Sequence, residues 1–138
     1  MPCRVVYDCG VFLQAATREN GPSFACLHLA EAGAVELLLS PSVVAEVREV
    51  IDRDEVRSKL RLGDDDVDEL FFRLDACAEV LPEPPPAFSL PRDPDDEIYI
   101  NLAVAGRASY LVSWNKRHLN YLMRGDTPEG KDFCARYP

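Results

Sequence analysis

Apolar positions recur along the chain in two rhythms, and the switches between them divide it into short strands and amphipathic helices. Arg4-Val-Val-Tyr-Asp8 is a β-branched and aromatic run ending on an acid, which suits a buried first strand. Gly10 follows at once, and Val11 to Ala16 open a helix or a turn. Beyond Gly21-Pro22, Phe24, Leu27, His28 and Leu29 recur at helical spacing until Gly33 stops the pattern, which puts His28 on an apolar face as a packing residue. Val35-Glu-Leu-Leu-Leu39 reads as a second strand. Ser40-Pro41 is a strong helix start, a hydroxyl N-cap with proline at the first helical position, and Val43, Val44, Val47 and Val50 then face one way. A polar helix is expected around Glu55 to Leu62, and Gly63-Asp-Asp-Asp66 opens another. Its apolar stripe is Val67, Leu70, Phe71, Leu74, Cys77 and Ala78, and the three acids of its first turn complement the helix dipole. Val80-Leu81 reads as a brief strand, and Pro82-Glu-Pro-Pro-Pro-Ala87 as a stiff extended connector. Asp93-Pro94 starts a helix running through Ile98, Leu102, Ala103 and Ala105 to Gly106. Tyr110-Leu-Val-Ser-Trp114 is the next strand, and Leu119, Leu122 and Met123 suggest a further helix. Strands alternating with helices imply an α/β fold, a parallel sheet with helices on both faces.

Composition narrows the class. With 138 residues, 47% of them apolar and 28% charged, the chain suits one domain with a real core and excludes a disordered polymer. Its net charge of −9 repels phosphate at long range and argues against broad electrostatic adhesion to nucleic acid or anionic membrane. Any dealings with phosphate therefore need a local device. No apolar run approaches the roughly 20 residues that span a bilayer, and Met1-Pro-Cys-Arg-Val-Val6 lacks the apolar stretch of a secretory signal, so a cytoplasmic protein is expected. Cys3, Cys9, Cys26, Cys77 and Cys134 are odd in number and scattered, without paired zinc or dithiol spacing, and read as reduced thiols in or near the core.

In parallel sheets ligands gather at the carboxyl ends of strands, where the chain order switches. Asp8 ends the first strand, Asn115 follows Trp114, Asp93, Asp95, Asp96 and Glu97 open a helix, and Glu46 interrupts the apolar rhythm after the second strand. Each has a bland alternative: Asp8 beside glycine can form a turn, Glu46 can be a solvated helix acid, and Asp93 before proline is an excellent N-cap. If the sheet brings several of these carboxylates together, they raise one another's pKa unless a cation sits among them. Hard oxygen ligands suit Mg²⁺ or Mn²⁺, which keep open positions for water and phosphate and activate water for attack on a phosphodiester.

Four ordered blocks carry a family resemblance: Val5-Val-Tyr-Asp8-Cys-Gly-Val-Phe-Leu13, Leu39-Ser-Pro-Ser-Val-Val-Ala-Glu46-Val-Arg48, Arg92-Asp-Pro-Asp-Asp-Glu-Ile-Tyr-Ile-Asn-Leu-Ala103, and Tyr110-Leu-Val-Ser-Trp-Asn115-Lys-Arg-His118-Leu119. Together they resemble a PIN domain, more narrowly the bacterial branch of toxin components of toxin–antitoxin systems (VapC-like). The resemblance covers nearly the whole chain and implies a three-layer α/β/α sandwich around a central parallel sheet, occupying residues 1–138 as one domain. It also implies an endoribonuclease that holds Mg²⁺ or Mn²⁺ on a quartet of acids, with RNA as substrate and a cognate antitoxin as protein partner. Carried over by position, the first acid is Asp8 and the second Glu46. The third is Asp96, seven residues before Ala103, with Asp93 the competing or supporting acid. The fourth position is Asn115, where the family usually has Asp.

Three departures qualify these expectations. Gly10 stands where the family usually has Asn, which removes an amide that helps order the first acid or the substrate. Asn115 leaves the pocket one charge short. Family members of this branch usually continue past the position of Tyr137-Pro138 into one more short strand and a helix, so an unpaired sheet edge and a homodimer are expected. Lys116, Arg117 and His118 follow Asn115 and are candidates for phosphate contact, with a solvated helix start the plain alternative; Trp114 is a candidate for stacking on a base or for packing. The competing reading is a weakened PIN-like module that binds RNA or a protein without cutting. A phosphotransfer enzyme of another acidic α/β fold fails, because Asp8-Cys9-Gly10 lacks an acid two residues after the first and no acidic pair ends the first strand.

Overall fold

The computed structural model describes residues 3–17, 21–85 and 97–113. In chain order they form strand β1 (Cys3–Tyr7), helices α1 (Cys9–Ala16) and α2 (Pro22–Glu31), strand β2 (Val35–Leu39), helices α3 (Pro41–Ile51), α4 (Asp54–Leu60) and α5 (Asp64–Cys77), strand β3 (Glu79–Val80), helix α6 (Glu97–Ala105) and strand β4 (Tyr110–Val112). The sheet runs β3-β2-β1-β4 with every pair parallel; Val5 is level with Leu37 on one side and Tyr110 on the other. Val5, Val6, Tyr7, Leu37, Leu38 and Leu39 are all buried. Such unbroken apolar runs, rather than alternation, are what a sheet covered on both faces requires. The molecule is therefore an α/β/α sandwich, as the strand–helix alternation implied.

Local chemistry sets the helix boundaries. The Ser40 hydroxyl, fully buried, accepts from Val43 N–H at 3.3 Å and caps α3 ahead of Pro41. The same helix start is strapped by the segment that follows β3, where Glu83 accepts from Ser42 N–H at 2.9 Å and from its hydroxyl at 2.6 Å. At α5 the Asp66 carboxylate reaches back to Gly63 N–H at 2.9 Å, and Asp64 pairs with Arg57 at 3.0 Å, so the acidic triplet caps a helix and faces solvent. Val67, Leu70, Phe71 and Leu74 form its buried stripe. Gly106 ends α6 against the sheet: a β-carbon there would lie 2.4 Å from Leu38 Cδ1 and 3.2 Å from the Leu102 carbonyl oxygen, so a side chain at this position would force its buried neighbours to shift.

Helix α2 departs from expectation. It docks on α1 and α5 through Ser23, Leu27 and Ala30, whereas His28 and Leu29 are exposed. Its neighbours reach a single stripe, and positions 28 and 29 fall beyond the edge of that stripe although they are adjacent to Leu27 in sequence. His28, 58% exposed in its side chain, is thus not a packing residue of the core: it stacks edge-on against Phe24, 4.6 Å between ring centroids, and lies 3.6 Å from Glu31. Among the described residues, no helix is long and apolar enough to cross a membrane.

Candidate functional site

Chain order along the sheet locates the site. From β1 the chain moves to β2 and then β3 on one side, and afterwards β4 pairs with the opposite side of β1. The carboxyl ends of β1 and β4 thus flank the switch point of the sheet, where open α/β folds bind ligands. Asp8 follows β1 directly, and Ser113 follows β4 directly.

Asp8 is fixed from three directions. Its own N–H donates to the Val112 carbonyl at 3.0 Å, which extends the β1–β4 ladder by one rung. Its Oδ1 accepts from Val11 N–H at 3.2 Å, capping α1, and its Oδ2 accepts from the Ser113 hydroxyl. The residue is only 7% exposed, and burial raises its pKa above the ordinary aspartate range, against the opposing pull of the bonds from Ser113, Val11 and Gly10. Gly10 contributes no side chain here, yet Asp8 is ordered by Val11 and Ser113.

Glu46 projects from α3, half-buried, and its Oε2 accepts from the hydroxyl of Tyr99 on α6. Tyr99 is 3% exposed, and burial, the bond to Glu46 and the nearby charges of Cys9, Glu46 and Asp8 raise its pKa far above that of free tyrosine. Cys9 feels both acids: burial first, then the charges of Glu46 and Asp8, push its thiol up to about 12, against the opposing effect of the Tyr99 hydroxyl. At physiological pH it is a neutral thiol and no nucleophile. Both acids thus act on the same two side chains, Cys9 and Tyr99, although they lie 38 positions apart in sequence.

The other candidates, Asp93, Asp95, Asp96, Trp114, Asn115, Lys116, Arg117 and His118, lie outside the described residues. Along the chain, Asp96 immediately precedes Glu97, the first residue of α6, and Asn115 comes two residues after Ser113. Among the described residues no group of three or more His, Cys, Asp or Glu side chains could hold a metal. What is described is a pair of hard carboxylates, one of them buried enough to resist ionisation. That donor set fits Mg²⁺, which takes one or two protein carboxylates and otherwise keeps water or substrate phosphate.

A pH dependence follows from Asp8. Its folded pKa lies above its unfolded one, so the folded protein binds this proton more tightly. The associated stability is fully present below the ordinary aspartate pKa and is lost as pH rises through the folded value. Metal-free protein should therefore lose stability across that interval relative to an Asp8→Asn variant, and saturating divalent metal should reverse the order; chemical denaturation at a series of pH values, with and without Mn²⁺, reads both.

Ser113 and Tyr99 were not among the residues singled out from sequence. Ser113 was legible as a strand-end hydroxyl two positions before Asn115, whereas Tyr99 reads as one more apolar position of α6. No curated protein and no solved structure matched the chain. PIN domains are in general nucleases and typically use divalent metal ions. The model of the PIN domain matches residues 4–117, from the start of β1 past the last described strand, and the chain belongs to the PIN domain family.

Proposed function

We propose that the protein is an Mg²⁺- or Mn²⁺-dependent endoribonuclease, the toxin component of a type II toxin–antitoxin pair. The observation that carries this reading is the placement of Asp8 at the switch point of a parallel sheet, with Glu46 presented from α3 and held by Tyr99 of α6. Asp8, Glu46 and Asp96 hold the cation, with Asp93 and Asn115 assisting. When bound, the ion lowers the pKa of water and offsets the charge of the phosphodiester. The chain's own contribution is orientation. Val11 N–H and the Ser113 hydroxyl fix both oxygens of Asp8, and the Tyr99 hydroxyl fixes Glu46. The firm hold on Asp8 despite Gly10 favours cleavage over a module that only binds.

Lys116 and Arg117 contact the RNA backbone next to the site, with Trp114 and His118 beside them. With a net charge of −9, the rest of the surface favours a basic partner, which fits a cytoplasmic antitoxin, and the chain pairs as a homodimer. Thermal denaturation of metal-stripped protein tests the cation site without any assumption about substrate. Mn²⁺ at about 100 times its dissociation constant should stabilise the fold by about 2.7 kcal/mol. The Asp8→Asn variant should show far less of this gain, and a wild-type protein indifferent to Mg²⁺ and Mn²⁺ would count against the proposal.

A further inference from the structure

We propose that Tyr99 is a positioning residue for Glu46, its hydroxyl holding that carboxylate in the orientation a divalent cation needs. The inference rests on the reading of Asp8 and Glu46 as cation ligands. Three observations lead to it. The Tyr99 ring is buried in the core with 3% of its surface exposed, a position where phenylalanine would fill the same space. A buried hydroxyl must find a partner, and this one donates to Oε2 of Glu46. A bond from a neutral donor to a carboxylate is charge-assisted and directional, so it favours one orientation of the half-buried Glu46 side chain.

One buried hydroxyl thus ties the middle of α3 to the first turn of α6. Partners of ligating carboxylates act by orienting them, and their loss costs about 10- to 100-fold in metal affinity or activity. Ser113, directly after β4, does the equivalent for Asp8.

Isothermal titration of Mn²⁺ into metal-stripped wild type, Asp8→Asn and Tyr99→Phe separates the possible results, because it returns affinity and binding stoichiometry independently. Wild type should bind, Asp8→Asn should bind far more weakly, and Tyr99→Phe should keep wild-type stoichiometry with an affinity about 10-fold or more lower. RNA cleavage by Tyr99→Phe should then recover towards the wild-type rate as Mn²⁺ is raised. Unchanged affinity in Tyr99→Phe, beside a wild type that binds, would overturn the role of Tyr99 and leave the metal site standing. A Tyr99→Phe protein with reduced stoichiometry at unchanged affinity would assign the hydroxyl to folding alone and also overturn it. A wild type that binds no Mn²⁺ would remove the metal site itself, and the role of Tyr99 with it.

Discussion

Asp8→Asn is expected to reduce RNA cleavage by about 10²-fold or more while the protein stays folded. Asparagine is as good an N-cap as aspartate, its side-chain oxygen can still accept from Val11 N–H, and its amide can donate to the Ser113 oxygen that formerly donated. The change therefore removes a charge and little else. A divalent ion contributes several kcal/mol of transition-state stabilisation in reactions of this type. At 1.36 kcal/mol per decade, losing the ligand that sits at the switch point costs at least two orders of magnitude. Single-turnover cleavage of structured and single-stranded RNA, with circular dichroism as the control for folding, measures both halves of this expectation.

Phe12→Ala is expected to destabilise the protein by about 3 to 5 kcal/mol. Phe12 is 1% exposed, four residues after Asp8 on α1, and its ring lies 6.1 Å from that of Tyr7 at the end of β1. Truncation would leave a cavity between the sheet and the helix that Asp8 caps. For a chain of this length the loss corresponds to a fall in Tm of roughly 10 °C or more. Calorimetry or urea unfolding reads it directly. The same variant should also weaken Mn²⁺ binding, because the cap geometry of Asp8 depends on where α1 docks.

Most of the fold was legible because its signals are local. Ser40-Pro41, Gly63 with Asp66, and the apolar runs of β1 and β2 each specify an element through contacts within a few residues. Helix α2 differs from expectation at His28 and Leu29 because its sequence is apolar on several sides, and only the packing of α1 and α5 decides which stripe is buried. The candidate site divides in the same way. Asp8 and Glu46 stand out as charges in apolar surroundings, so sequence finds them. The groups that orient them do not stand out: Ser113 is 105 positions from Asp8, and Tyr99 is 53 positions from Glu46. Nothing about a serine at a strand end or a tyrosine in an apolar helix shows what it will touch until the sheet and the helices are assembled.

The acidity of the chain takes on a similar division. Asp64 and Asp66 are spent on a salt bridge with Arg57 and a helix cap. Asp8 is different, a carboxylate whose burial works against its own charge. It is the kind of acid whose environment makes sense once a cation is beside it. The most direct measurement is therefore RNA cleavage by metal-stripped protein as Mn²⁺ is titrated in. The account predicts no cleavage in chelator, a saturable rise with Mn²⁺, and loss of that rise in Asp8→Asn. Cleavage that persists in chelator, or that survives Asp8→Asn at the wild-type rate, would contradict it.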